Sequence, residues 1–250
     1  MTDGWAPELL LAGVVLLGGC VQWLTGMGFA LVAVPGLVLL LGPAQGVVLA
    51  NCAAGANCAA GAISAFGLVD GRRAVRLPVM APLCLAAVIT VPAGTWVARQ
   101  LPEPALLACL GALVTGAVAL VMRGLRVPAL RGGRGAVVAG GLGGFMNSAA
   151  GVGGPPVSLY ALNAGWTVRE FVPNAQFYGV VVNLVSVTSN GLPRLTAPVW
   201  AVAVTALAAG ALAGRALTGR VPENRARALV LLLALAGGLS ALAKGFAGLT

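Results

Sequence analysis

The chain has 250 residues, of which 59% are hydrophobic and 8% are charged, with 37 glycines and a formal net charge of +9. Together with a mean hydropathy of +0.98, these values exclude a soluble globular domain and indicate a polytopic membrane protein. The basic residues are scattered among short loops with few aromatic neighbours, so we expect no nucleic-acid partner.

The amino-terminal segment carries Asp3 and Glu8 where a cleaved signal peptide would be basic, so we expect the first apolar run to remain in the protein. Several uncharged runs exceed the ~20 residues that a spanning helix needs, and we therefore predict an all-α membrane fold. Eight apolar runs follow one another, at about 9–41, 44–69, 74–98, 104–122, 135–164, 171–190, 196–218 and 228–243.

The first and fifth runs are too long for single spans. Each would make a helix of ~45–50 Å, whereas the hydrocarbon core is ~30 Å thick, so we predict that both are broken or re-entrant. The segment 143–157, GGFMNSAAGVGGPPV, holds five glycines and two consecutive prolines within the fifth run. Non-helical backbone at this depth is tolerated only where protein or a water-filled cavity supplies hydrogen-bond partners, so the break indicates a site.

The two long runs also resemble each other at a constant offset of 125 residues. Gly18-Gly19, Gln22 and Gly26 correspond to Gly143-Gly144, Asn147 and Gly151, and Asn51 corresponds to Gln176. Further along, Gly94 matches Gly214 and Leu101-Pro-Glu103 matches Val221-Pro-Glu223 at an offset of 120. We predict two homologous membrane repeats, 1–122 and 135–250, joined by a basic loop at 123–134.

The distribution of positive charge distinguishes parallel from inverted repeats. If every run crosses once, the Arg and Lys residues divide about nine to six between the two sides. If both long runs enter and leave on the same side, the division becomes about twelve to three. The positive-inside rule favours the second arrangement, with inverted repeats and both termini outside.

The chemistry available at membrane depth is uncharged. All six acidic residues lie at the ends of runs or in loops, which argues against a cation substrate. A broken helix offers unpaired N–H groups and the positive end of a helix dipole, which suit an oxyanion. The predicted substrate-binding residues are Gln22, Thr25, Gly26, Gly28, Asn51, Asn147, Ser148, Gly151, Gly153, Gly154 and Gln176.

Two other interpretations remain open. Glycine-rich segments often serve as packing seams, and an interior Asn or Gln often only bonds across helices. The five cysteines lie in apolar runs at no metal-ligand spacing, so we expect neither a disulfide framework nor a metal, but Cys20, Cys52 and Cys58 lie near the first break and could react with a sulfur compound. Because histidine is absent, no general base is evident, and we expect no enzyme, no catalytic residue and no cofactor.

Two segments resemble the paired signatures of the sulfite exporter TauE/SafE family. They are 18–29, GGCVQWLTGMGF, followed by Val34-Pro35, and 151–156, GVGGPP, followed by 157–160, VSLY. The resemblance covers essentially the whole chain and implies a bacterial inner-membrane, multi-pass permease for small sulfur-containing or organic anions, such as sulfite or sulfonates. We expect alternating access around a midplane site, with a small anion and the lipid bilayer as partners and a homodimer as one permitted state. The alternative is a cysteine-dependent thiol relay or a thiosulfate-type sulfur transporter.

Overall fold

A computed structural model describes residues 6–68, 75–123, 131–218, 220 and 223–249. Within these residues the secondary structure is entirely helical, so the prediction of an all-α fold is confirmed. The ten helices are α1 (Ala6–Thr25), α2 (Phe29–Leu41), α3 (Pro43–Leu68), α4 (Leu77–Gln100), α5 (Glu103–Met122), α6 (Gly132–Ala150), α7 (Gly154–Asn163), α8 (Val168–Asn190), α9 (Ala197–Leu217) and α10 (Glu223–Ala247).

Five helices, α1, α3, α4, α5 and α9, are long and apolar enough to cross a membrane. This finding supports a multi-pass membrane protein. Part of the predicted repeat and charge pattern depends on residues 69–74, 124–130, 221 and 222, which lie outside the described residues.

Each of the two long apolar runs is divided into two helices, as predicted. Gly26 and Gly151 have φ values of 77° and 69°, in the left-handed region that ends helices at glycine. The Gly26 N–H donates to the Gln22 carbonyl, and the Gly151 N–H donates to the Asn147 carbonyl, both at 2.8 Å. Both breaks therefore have the same local construction, a left-handed glycine one turn after an amide residue.

The helix that follows the first break turns back along the helix before it. Gly36 in α2 lies against Val14 in α1, and Gly18 in α1 lies against Ala33 in α2, so the two helices are antiparallel. The first break therefore reverses the direction of the chain between α1 and α2.

Helices from one half of the chain pack mainly against helices from the other half. α1 packs mainly against α9, and α4 packs mainly against α6, while α5 pairs with α10 and α3 with α8. Several contacts recur between these pairs at the offsets of 125 and 120 residues found in the sequence. In the first pair of matching contacts, Gly144 lies against the Ala87 carbonyl and Gly19 lies against the Leu207 carbonyl. In the second pair, Gly94 lies against the Phe145 carbonyl and Gly214 against the Cys20 carbonyl. In the third pair, the Thr90 hydroxyl donates to the Gly141 carbonyl and Gly210 lies against the Leu16 carbonyl.

The antiparallel pair of α3 and α8 runs through the centre of the bundle. Gly61 lies against Gln176, and Cys58 lies against Gly179, so the two helices approach closely along their length. Buried polar side chains are concentrated on this pair: Asn51, Asn57, Asn174, Gln176, Asn183 and Ser186. The centre of the bundle is therefore polar but carries no charge.

Candidate functional site

The two breaks line a single cavity of about 370 Å³. This volume suits a small ligand, and the walls are mainly apolar with a few polar groups, as is usual for binding sites. Side chains from α1, α3, α7 and α8 complete the lining. The predicted site residues that line this cavity are Gln22, Thr25, Gly26, Gly28, Asn147, Gly153 and Gly154.

Four predicted site residues do not line this cavity. Asn51 and Gln176 instead hold the two breaks: Asn51 Nδ2 donates to the Asn147 carbonyl at 3.3 Å, and Gln176 Nε2 donates to the Gly26 carbonyl at 3.2 Å. Each amide thus supports the break in the other half of the chain. These two residues position the site and do not reach into it.

The other two such residues, Ser148 and Gly151, have packing roles. The Ser148 hydroxyl donates to the Val91 carbonyl at 2.8 Å, which joins α6 to α4. Gly151 lies against Val34, and its left-handed backbone conformation forms the turn itself.

Asn147 is the centre of a buried hydrogen-bond network. Its Oδ1 accepts from the Gly153 N–H at 3.2 Å, and its Nδ2 lies 2.9 Å from Ser186 Oγ. The same Nδ2 lies 3.3 Å from Asn51 Oδ1 and 3.2 Å from Asn183 Oδ1. The carboxamide is therefore occupied by protein partners and fixes the shape of the second break.

Gln22 differs from Asn147, its counterpart in the sequence. Its side chain is 3% exposed, its Nε2 lies 2.9 Å from Cys58 Sγ, and its Oε1 has no partner among the described residues. With the carboxamide turned end for end, the thiol donates to Oε1 and the N–H groups take the unpaired position. In either orientation one end of this buried amide is unpaired, which costs about 1–3 kcal/mol until a ligand bonds to it.

The second break has fewer free backbone donors than its glycines suggest. In the segment Gly151–Gly154, the N–H groups of Gly151 and Val152 donate to carbonyls at the end of α6, and that of Gly153 donates to Asn147 Oδ1. The two prolines that follow carry no N–H. In the segment Gly151–Gly154, the Gly154 N–H alone has no partner among the described residues, and Gly154 lines the cavity.

The first break supplies more donors. The first N–H of α2 with a carbonyl partner one turn earlier is that of Val32, which bonds to Gly28 at 3.3 Å. The N–H groups of Phe29, Ala30 and Leu31 precede it, and these residues line the cavity. The positive ends of the α2 and α7 dipoles therefore both face the same space.

Most residues of the lining were not predicted, and two of these are Met27 and Ser158. Met27 lies in the first break and contacts Gly154, while Ser158 Oγ lies 3.5 Å from Met27 Sδ. Ser158 follows Gly154 by four residues, so the helical spacing after the break could have placed both on one face. No such spacing signal exists for Met27, because it precedes the helix.

No charged side chain lines the cavity in the described part of the chain. The same residues contain no group of three or more Cys, Asp or Glu side chains that could hold a metal ion. The electrostatic character of the cavity therefore comes from the two helix ends and from neutral amides. Such an environment favours a small anion over a cation.

Comparison with known proteins gives one match. The family model described as Sulfite exporter TauE/SafE matches residues 11–241, which include both breaks and all the polar groups discussed above. No curated protein and no solved structure matches the chain.

Proposed function

Since the match extends over nearly the whole chain, this protein belongs to the sulfite exporter TauE/SafE family of membrane transporters, and we propose that it carries a small oxyanion such as sulfite or a sulfonate. We place it in the bacterial inner membrane as a secondary transporter. The observation that carries this proposal is the cavity that the amino ends of α2 and α7 share.

An oxyanion fits this cavity because of the donors that surround it. The free N–H groups at Phe29–Leu31 and at Gly154 approach from two helices, and each helix end carries about half a positive charge. A sulfite or sulfonate group presents three oxygens as acceptors. Because no described residue of the lining is charged, the anion is bound without an ion pair to these residues that would hold it too tightly to be released.

Gln22 is the side chain we assign to substrate contact. Gln22 lines the cavity and one end of its carboxamide has no partner among the described residues, whereas the corresponding Asn147 is held by four protein groups. A bound anion would accept from Gln22 Nε2 while Cys58 donates to Oε1. Thr25 contributes indirectly, because its hydroxyl lies 2.9 Å from the Met27 carbonyl and shapes the first break.

We propose further that the two halves are inverted repeats and that the first and fifth apolar runs are re-entrant. The matched contacts of α1 with α9 and of α4 with α6 support this duplication, as does the antiparallel packing of α2 on α1. Two repeats of opposite orientation that meet at a central site provide a route to alternating access. The substrate would then be exposed to each side by movement of one helix pair against the other.

Ligand-dependent stabilisation and flux would test this function. We expect purified protein to be stabilised by sulfite or sulfoacetate, and Gln22→Leu to weaken that effect because it removes a hydrogen bond to a charged group, about 1.5–3 kcal/mol or ~10–150-fold in affinity. The control is Gln100→Leu at the exposed end of α4. Stabilisation by cations alone, or equal affinity in both variants, would refute the anion site.

The cysteine-based alternative rests on one specific observation. Cys58 lines the cavity and contacts Gln22, so a sulfur compound bound there would meet a thiol. Replacement of Cys58 by alanine distinguishes anion transport without a thiol from a thiol relay. We expect flux to persist in the alanine variant, whereas a thiol relay would lose it completely.

A further inference from the structure

A second cavity, of about 550 Å³, lies away from the first one. It is formed where α2 joins α3, where α4 joins α5 and where α8 joins α9. Its polar lining consists of Gln45, Arg99, Glu103, Ser148, Asn190 and Arg194. Unlike the first cavity, it has charged walls.

The two cavities lie towards opposite ends of the bundle. Phe171, near the start of α8, lines the first cavity, and Asn190, at the end of the same helix, lines the second. At 1.5 Å per residue these positions are ~30 Å apart, the thickness of a hydrocarbon core.

The partition between the cavities is thin. Asn147 lines the first cavity, and the next residue, Ser148, lines the second. The network around Asn147, with Asn51, Asn183 and Ser186, therefore lies between the two cavities.

Positive charge is concentrated at the second cavity. In the inverted arrangement this side of the protein has three basic residues, Arg99, Arg194 and Lys244, and the first two line the cavity. Glu103 also lines it, but neither arginine forms an ion pair with a described carboxylate. The positive-inside rule disfavours basic residues on this side, so their presence at the cavity calls for a local cause.

Hydrogen bonds hold this wall in place. Arg99 Nη2 donates to the Ser189 carbonyl at 2.9 Å, which fixes its side chain over the end of α8. The Arg194 N–H donates to Gln45 Oε1 at 2.7 Å, which leaves the two Nε2 donors of Gln45 for another acceptor. A guanidinium group presents paired N–H donors that match the oxygens of an oxyanion.

We propose that this cavity is a second anion-binding station, at which Arg99 and Arg194 receive or release the small oxyanion on the side opposite the first cavity. The proposal rests on the transport function given above. The exposed guanidinium groups bind the anion weakly and exchange it quickly with solvent, whereas the buried helix ends bind it more selectively. Passage between the stations requires the Asn147 network to open.

Flux from each side would test the proposal. The variant Arg99→Gln/Arg194→Gln is compared with Lys244→Gln, which removes one charge on the same side but outside the cavity. In right-side-out and inside-out vesicles we expect the double variant to raise the KM about tenfold for sulfite supplied at the second cavity, and to leave the KM from the other side unchanged. The Lys244 variant should behave as wild type in both vesicle types.

Chemical protection provides a measurement that does not depend on transport. Sulfoacetate should slow the modification of Arg99 and Arg194 by phenylglyoxal, read by mass spectrometry, and should not slow that of Arg220 at the other end of the protein. Unchanged KM values, equal changes from both sides, or unprotected arginines would overturn the second station while wild-type flux stands. Loss of flux and of anion stabilisation in the wild type would instead refute the transport function itself, and the second station with it.

Discussion

Replacement of Asn147 by leucine removes the amide that fixes the second break. The substitution leaves three polar groups without this partner: the Gly153 N–H, and the two acceptors that the two hydrogens of Nδ2 can reach at one time among Asn51 Oδ1, Asn183 Oδ1 and Ser186 Oγ. Each unsatisfied buried group costs about 1–3 kcal/mol. Because water in the first cavity can reach Gly153, we expect the lower part of that range, about 3–5 kcal/mol in all.

Thermal unfolding followed by tryptophan fluorescence in detergent would measure this loss. At roughly 2–4 °C per kcal/mol for a chain of this size, the midpoint of Asn147→Leu should fall by about 6–20 °C. The matched control is Asn163→Leu, because Asn163 Nδ2 donates only to the Leu159 carbonyl of its own helix and its Oδ1 is unpaired. We expect that variant to shift by less than about 2 °C.

Equal shifts in the two variants would refute the assignment of Asn147 as the centre of the network. The comparison also bears on transport assays. Because Asn147 supports the fold of the break, loss of flux in this variant alone would not identify it as a substrate ligand. Gln22, which lines the cavity and has one amide end without a partner among the described residues, is the better position for that question.

The remaining predictions concern the turn glycine and one exposed ion pair. Gly151→Ala and Gly165→Ala place alanine at φ values of 69° and 70°, so each should lower the free energy of unfolding by about 1–2 kcal/mol. Only Gly151→Ala should also lower flux, because a Cβ at Gly165 meets open space. Equal flux in the two variants would contradict the site. Hydrogen bonds from Thr167, and then the charge of Arg76, hold the pKa of Glu170, which precedes the apolar run of α8, below its ordinary value of 4.5. The stability from this carboxylate is therefore present at neutral pH and is lost as the pH falls below 4.5. We expect Glu170→Gln to reduce the loss of stability at acid pH when unfolding is measured as a function of pH. An unchanged pH dependence of stability would contradict this role of Glu170.

Local sequence chemistry was sufficient to predict the two breaks. The clusters of glycine at 18–28 and of glycine and proline at 143–157 predicted where the helices break, and glycine readily adopts the left-handed backbone that the structure has at Gly26 and Gly151. The amide one turn earlier could be identified for the same reason. The all-α fold followed from the length of the apolar runs, which leaves a membrane chain few alternatives.

The sequence could not predict which amide side chains line the cavity and which ones support the breaks. Whether Asn51 on α3 lines the cavity depends on how α3 rotates against α8, and that rotation is set by distant contacts such as Cys58 with Gly179. The hydrogen-bond state of the backbone was equally hidden. Three of the four N–H groups of Gly151–Gly154 are used within the protein, although the glycine pattern suggested an open cradle.

The exchange of helices between the halves has a consequence for how the protein is made. α1 leaves the ribosome well before its main partner, α9, which begins at residue 197. The face of α1 that contains Gly19 and packs against α9 therefore contacts lipid, or a temporary protein neighbour, until most of the chain has been synthesised. Neither half can complete its packing alone, so assembly of this membrane protein is a late event, reached only when both halves are inserted.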